Sequence, residues 1–173
     1  MSPVVAVVGN PKPGSRTRTA AEVVAAELSA LVPGIAPPVQ TVDLAEHSPA
    51  LLQWGSPEVA ELKATVLGAC ALVVASPTYK AAYTGLLKLF LDQFDKDELH
   101  GIPTVALMTG GNDGHALAVE VHLRPVLVEI GASLPTRGLF LSGPAVDDPA
   151  AAIADWLEQA APALRRALAV PQP

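Results

Sequence analysis

Lys12 and Arg16 are the two cations in a stretch otherwise made of glycines, prolines and small polar residues, Gly9-Asn10-Pro11-Lys12-Pro13-Gly14-Ser15-Arg16-Thr17. Asn10, Ser15, Thr17 and the nearby Thr19 add neutral hydrogen-bonding groups. Placed where a chain enters a helix, such a set suits an anion. Charges and hydroxyls would converge there with the backbone N–H groups that a first helical turn leaves unpaired. The stretch is not a nucleoside-triphosphate loop, because Gly14 is followed by Ser15-Arg16 where a Walker loop carries Lys-Ser/Thr. It also lacks the G-x-G-x-x-G spacing of a dinucleotide fingerprint, and Asp43 reads as a strand-end turn residue. Taken alone, an ordinary loop with Ser/Thr capping remains the plainer alternative.

Two further stretches share this character. Ser76-Pro77-Thr78-Tyr79-Lys80-Ala81-Ala82-Tyr83-Thr84-Gly85 and Thr109-Gly110-Gly111-Asn112-Asp113-Gly114-His115 each follow an apolar run. Glycines there let the backbone approach a flat ligand, and exposed amides can bond its heteroatoms. Tyr79 is placed either to lie against a ring or to pack the loop. His115 is open between capping, packing and ligand contact. His47, His100 and His122 lack pairing or metal spacing and read as surface residues. No Ser-His-Asp set or carboxylate pair presents itself, so no catalytic residue is assigned. Cys70, the single cysteine, reads as a buried small residue entering a strand.

The elements that must position these stretches follow from periodicity. Val4 to Val8, Val39 to Leu44, Ala71 to Ala75, Pro103 to Met108 and Gly138 to Leu141 are short apolar runs of the buried-strand type. Helices are expected over Thr17 to Leu31, Pro57 to Ala69, Thr84 to Phe94, His115 to Ile130 and Asp148 to Ala169. Ala45 to Pro57 reads as a loop. Pro125 lacks a backbone donor and frees the carbonyl of Val121, which predicts a kink or bulge there; Pro162 should disturb the last helix. Trp54, Trp156, Phe90 and Phe94 are expected in the core or at an interface. The helix from Thr84 is apolar nearly all round and is expected to be buried in the core or against a second subunit.

Strands alternating with helices predict a single α/β domain over residues 1–173, a three-layer sandwich around a parallel sheet. Five strands favour the flavodoxin-like order 2-1-3-4-5. Ligands in such sheets sit beyond the strand C-termini, where the strand order reverses, and the three polar stretches all fall there.

Bulk composition narrows the function classes. The net charge is −6, with 11 basic and 17 acidic residues, and no basic run is present to grip nucleic acid. Half the residues are hydrophobic, which excludes a mostly disordered chain. No segment approaches the roughly 20 apolar residues of a membrane helix. No secretory signal is recognisable, so a cytoplasmic location is expected.

The three stretches together carry a family resemblance. Ser76-Pro77-Thr78-Tyr79-Lys80-Ala81, continued by Tyr83-Thr84-Gly85-Leu86-Leu87-Lys88, resembles the signature of flavodoxin-like NADPH-dependent FMN reductases. Thr109-Gly110-Gly111 to His115, with Leu123-Arg124-Pro125-Val126-Leu127, is similar to the sulfonate-utilisation branch. The first stretch resembles the family's phosphate loop at Gly9, Ser15 and Thr17. Asn10 and Lys12 stand where serine and arginine are usual, and Val121 where that branch tends to an aromatic residue.

The resemblance implies hydride transfer from NADPH or NADH to FMN, with reduced flavin supplied to a flavin-dependent monooxygenase. It implies that Asn10, Lys12, Ser15, Arg16 and Thr17 hold the FMN phosphate. Pro77, Thr78, Tyr79 and Lys80 would line the ribityl chain and ring. Thr109, Gly110 and Gly111 would meet the pyrimidine edge, with His115 nearby. It also implies a homodimer or homotetramer. Two other readings share the fold: a quinone or azo reductase with prosthetic FMN, and a non-catalytic electron carrier. The modest acidity and the 4% aromatic content argue against the carrier.

Overall fold

The computed structural model describes residues 2–34 and 36–170. Five parallel strands form one sheet in the order β2-β1-β3-β4-β5, the order expected from the sequence. They are β1 (Val4–Val8), β2 (Val39–Asp43), β3 (Ala71–Pro77), β4 (Thr104–Gly110) and β5 (Leu139–Ser142). The helices are α1 (Arg16–Leu31), α2 (Ser48–Leu51), α3 (Pro57–Leu67), α4 (Gly85–Leu91), α5 (Arg124–Glu129), α6 (Pro144–Asp147) and α7 (Ala150–Leu168).

Successive strand residues point to opposite faces, so β1 divides its side chains between two cores. Val4, Ala6 and Val8 meet Val24 and Leu28 of α1 and Ile153 and Leu164 of α7. Val5 and Val7 share the other core with Leu87 and Phe90 of α4 and Leu127 of α5. Burying a side chain such as Phe90 contributes about 1.5–3 kcal/mol relative to exposure. Phe90 also meets Phe94 edge-on, with ring centroids 5.3 Å apart.

Register sets where the loops emerge. Val8 pairs with Asp43 and with Ala75, Pro77 with Thr109, and Gly110 with Ser142. The carboxyl ends of all five strands therefore lie along one edge. The start of the first loop is also fixed from behind. A Cβ at Gly9 would stand 2.5 Å from the Leu87 Cβ and 3.2 Å from its Cα, so α4 packs directly on this glycine.

Three expectations about elements need correction. Residues 45–57 are not an open loop: a 3-10 turn, Leu44–His47, leads into α2, and Leu44, Ala50 and Leu51 are buried. Such short elements carry too little periodicity to stand out. The helix expected from His115 to Ile130 is divided into a 3-10 turn, Asp113–His115, a π-helical turn, Val119–Leu123, and α5. The N–H of Arg124 reaches back to the Val119 carbonyl, and Pro125 follows at the start of α5. The bulge expected from the missing proline donor is thus a π-turn. The last helix, by contrast, runs continuously through Pro162. Pro162 and Glu158 are exposed, so the carbonyl that loses its partner can face water.

Individual side chains also depart from expectation. Trp54 is 85% exposed and is not in the core of this chain. His47 is half-buried and its Nδ1 lies 2.6 Å from Glu58 Oε1, so it does pair. Cys70 is half-buried, and burial pushes its thiol pKa up, which suits a packing role. Among the described residues no helix is long and apolar enough to cross a membrane.

The close approach at Gly9 yields a stability prediction. Gly9→Ala forces its new methyl group into Leu87 and should cost about 1–3 kcal/mol. Urea unfolding monitored by circular dichroism checks it; an unchanged midpoint contradicts the packing of α4 on this loop.

Candidate functional site

The loops after β1, β3 and β4, together with the turn after β5, enclose an open cleft of about 690 Å³. Such a volume suits a cofactor-sized ligand. Asn10, Lys12, Gly14, Ser15, Arg16 and Thr17 line one end. Pro77, Thr78 and Tyr79 come from β3 and its loop, and Thr109, Gly110 and Gly111 from the end of β4. The cleft thus gathers eleven of the thirteen residues that the sequence put forward.

Lys80 and His115 do not line it. Lys80 is exposed in a tight turn with φ 51°, where Tyr79 and Ala82 exchange backbone hydrogen bonds. His115 is exposed in a separate hollow of about 310 Å³ with Asp113, Leu117, Val121 and His122.

Many polar groups at the cleft hold the loops rather than face the ligand space. Asn10 is 8% exposed; its Oδ1 accepts from the Lys12 N–H at 2.9 Å and its Nδ2 donates to Thr17 Oγ1 at 3.1 Å. Thr17 Oγ1 lies 2.9 Å from Thr109 Oγ1, joining the first loop to β4. Only one of these two hydroxyl protons can serve their mutual bond. The other is left without a partner in this chain of bonds. The Thr78 N–H donates to the Thr109 carbonyl at 2.7 Å, which joins the β3 and β4 loops.

Behind the cleft, Thr84 caps α4 by accepting from the Leu87 N–H at 3.1 Å, and it donates to the Gly9 carbonyl at 2.5 Å. Ser15 caps α1 by accepting from the Arg18 N–H at 3.2 Å, which leaves its hydroxyl proton free to donate.

Asp43 is the buried anchor of the first loop. Its side chain accepts from the Gly14 N–H at 3.1 Å and from the Ala45 N–H at 3.3 Å, and it also meets Arg18 Nη1 at 3.4 Å. Gly14 turns there with φ +59°, a conformation few side chains adopt. Arg18 further bonds Glu22 at 2.8 Å and Glu46 at 3.1 Å. Its pKa is held above the usual arginine value, first by the Glu22 hydrogen bond and further by the charges of Glu22, Asp43 and Glu46, against a smaller opposing effect of burial. Arg18 is therefore engaged by three carboxylates, whereas Lys12 and Arg16 are exposed along the cleft, Arg16 with one exposed carboxylate partner, Asp147.

Gly14, Gly143, Val146 and Asp147 also line the cleft, and sequence reasoning did not assign them. The available signal was Gly143-Pro144 directly after the fifth apolar run, at the same sheet edge as the other loops.

A family model described as NADPH-dependent FMN reductase matches residues 2–147. The chain belongs to the NADPH-dependent FMN reductase family. An FMN reductase (NADPH) of Escherichia coli strain K12 is 32% identical over 84% of this chain and 75% of that protein. An NADH-dependent FMN reductase of Pseudomonas putida is 42% identical, over 44% of this chain and 41% of that relative. The apo crystal structure of an NADH:FMN oxidoreductase superposes with a TM-score of 0.85 at 30% identity, covering 99% of this chain and 92% of that one. Both nicotinamide nucleotides thus occur among the names of the family members it resembles.

The cleft fits the family's flavin. Lys12, Arg16 and the free Ser15 proton stand at the α1 end, as a phosphate requires. Thr78 Oγ1 is buried without a hydrogen-bond partner among the described residues, a polar atom at the wall that a ribityl hydroxyl could satisfy. Around Gly111 a Cβ would meet nothing within 4 Å, so the backbone there borders open space.

The Asp43 anchor can be tested directly. Asp43→Ala leaves the Gly14 and Ala45 N–H groups without their acceptor and should cost about 1–3 kcal/mol per buried group left unpaired. Asp43→Asn keeps one acceptor oxygen and should cost less. Equilibrium unfolding of the two variants checks the order; equal losses would show that hydrogen bonding to the loop is not what Asp43 provides.

Proposed function

We propose that this NAD(P)H-dependent FMN reductase seats its flavin phosphate-first, with Lys12, Ser15 and Arg16 meeting the phosphate at the start of α1. Asn10 and Thr17 shape the loop from beneath. Pro77, Thr78 and Tyr79 border the ribityl chain and ring, and Thr109, Gly110 and Gly111 border the pyrimidine edge. The observation that carries this reading is one cleft with two exposed cations and a capped helix start at one end. Its other walls are a tyrosine and a glycine pair.

When bound, FMN supplies the hydride-accepting ring and a reduced nicotinamide the hydride. The chain's own residues then have three tasks. They bind the phosphate, orient the ring against the β4 backbone, and leave one side open for the second nucleotide. In this reading no side chain exchanges a proton in the hydride step.

The protein acts in the cytoplasm, and its reduced flavin passes to a flavin-dependent monooxygenase. A homodimer or homotetramer is supported by the groove between α4 and α5, whose apolar floor of Leu91, Phe94, Val126 and Ile130 is rimmed by Lys88, Asp92, Lys96 and Glu129.

Steady-state oxidation of NADPH and of NADH, with FMN, FAD and riboflavin as acceptors, tests the activity. Lys12→Ala and Arg16→Ala each remove a charge-assisted contact and should raise the KM for FMN roughly 10- to 100-fold. Riboflavin, which has no phosphate, should be unaffected. Equal losses for both flavins would refute the placement of the phosphate.

A further inference from the structure

Arg16 is opposed across the cleft by a carboxylate. Its Nη1 donates to Asp147 Oδ1 at 2.7 Å, and both residues line the same cleft. Arg16 stands in the first turn of α1, and Asp147 closes α6 after β5.

The pair differs from the other arginine–carboxylate contact of this loop. Asp43, beneath Arg18, has a side chain only 1% exposed and is fixed by backbone donors. Arg16 and Asp147 are 67% and 64% exposed and share a single hydrogen bond. An exposed pair of this kind locks little and adds little stability. What Asp147 adds is charge: a carboxylate that offers Arg16 the same kind of acceptor oxygen as a phosphomonoester, at the wall where the phosphate must sit. An arginine drawn to that wall is less available to a phosphate, and a phosphate entering the cleft meets a like charge.

We infer that Asp147 is a built-in competitor of the flavin phosphate: it draws Arg16 aside and lowers the affinity for FMN, so that flavin exchanges more readily. This rests on the phosphate placement proposed above and extends it to a specificity-determining carboxylate.

The test compares FMN and riboflavin binding to the full chain by flavin fluorescence titration. At low ionic strength Asp147→Asn should tighten FMN about 2- to 5-fold, the range open to an exposed ion pair. Asp147→Lys should tighten it further, and riboflavin should bind all three proteins alike. The gain should shrink at about 1 M salt, where the screening length is only about 3 Å. In an Arg16→Ala background most of the gain from Asp147→Asn should disappear. Unfolding midpoints equal to that of the parent chain establish that the exposed substitutions leave the fold intact.

Unchanged or weaker FMN binding by Asp147→Asn overturns the inference, weaker binding marking Asp147 as a positioning residue for Arg16. Equal tightening for riboflavin overturns it as well. The two readings fail separately. A parent chain that binds FMN no better than riboflavin refutes the phosphate placement itself. A parent that prefers FMN, with an Asp147→Asn variant that does not gain, refutes only the role of Asp147.

Discussion

The hydroxyl contact between Thr17 and Thr109 is the constraint on which the cleft depends. Neighbouring strands lie about 4.8 Å apart, so β1 and β4, on either side of β3, are roughly 10 Å apart. Thr17, in the first turn of α1, bridges that gap by reaching Thr109 near the end of β4. With Thr17 buried, the same contact places Asn10 and, through it, the backbone at Lys12. The Thr78 N–H bond to the Thr109 carbonyl then brings in the third loop. The walls of the cleft are thereby held in one spatial relation by a few short hydrogen bonds.

That arrangement divides the polar residues of the site into two populations. Asn10, Thr17, Asp43, Ser76, Thr84 and Thr109 are buried, and their hydrogen bonds run to backbone or to one another, apart from the contact of Asp43 with Arg18. Lys12, Arg16 and Tyr79 are exposed at the cleft. A loop rich in polar residues therefore need not be a loop rich in ligand contacts. Precise positioning of the second population requires the first, because a binding group is only as well placed as the shell behind it. Residue type alone cannot separate the two, since Asn10 and Ser15 would look equally suited to a phosphate until their partners are known.

Local chemistry was legible in the sequence, and long-range chemistry was not. The five apolar runs announced a parallel sheet because strands buried on both faces have no polar alternation to display. The strand order then pointed to the correct edge. Pro125 could be read because a missing N–H acts within its own turn. Pro162, chemically identical, had no such effect on the helix, because its consequence depends on whether the freed carbonyl faces water. Asp43 and Asp147 mark the limit most clearly. One supports Gly14 and the other opposes Arg16, yet each is far from its partner along the chain, and neither lies in a motif. Trp54 shows the same limit from the apolar side: a large aromatic residue suggests the core or an interface, and the short turns around it leave it on the surface of this chain.

The charge arrangement bears on what kind of flavin site this is. A chain of net charge −6 must build any anion site against its own field. Here it places Lys12 and Arg16 at the mouth of one cleft and turns Arg18 away into carboxylates. A site made for permanent retention would be expected to bury its phosphate ligands and keep opposing carboxylates distant, since buried charge pairs gain strength as water is excluded. This site does the reverse: its cations are solvated and a carboxylate faces one of them. Binding energy held uniformly in the ground state slows release without speeding chemistry. For the proposed role, in which reduced flavin leaves after the reaction, a solvated and partly opposed anion site at this end of the cleft would keep turnover from ending in a tightly bound product.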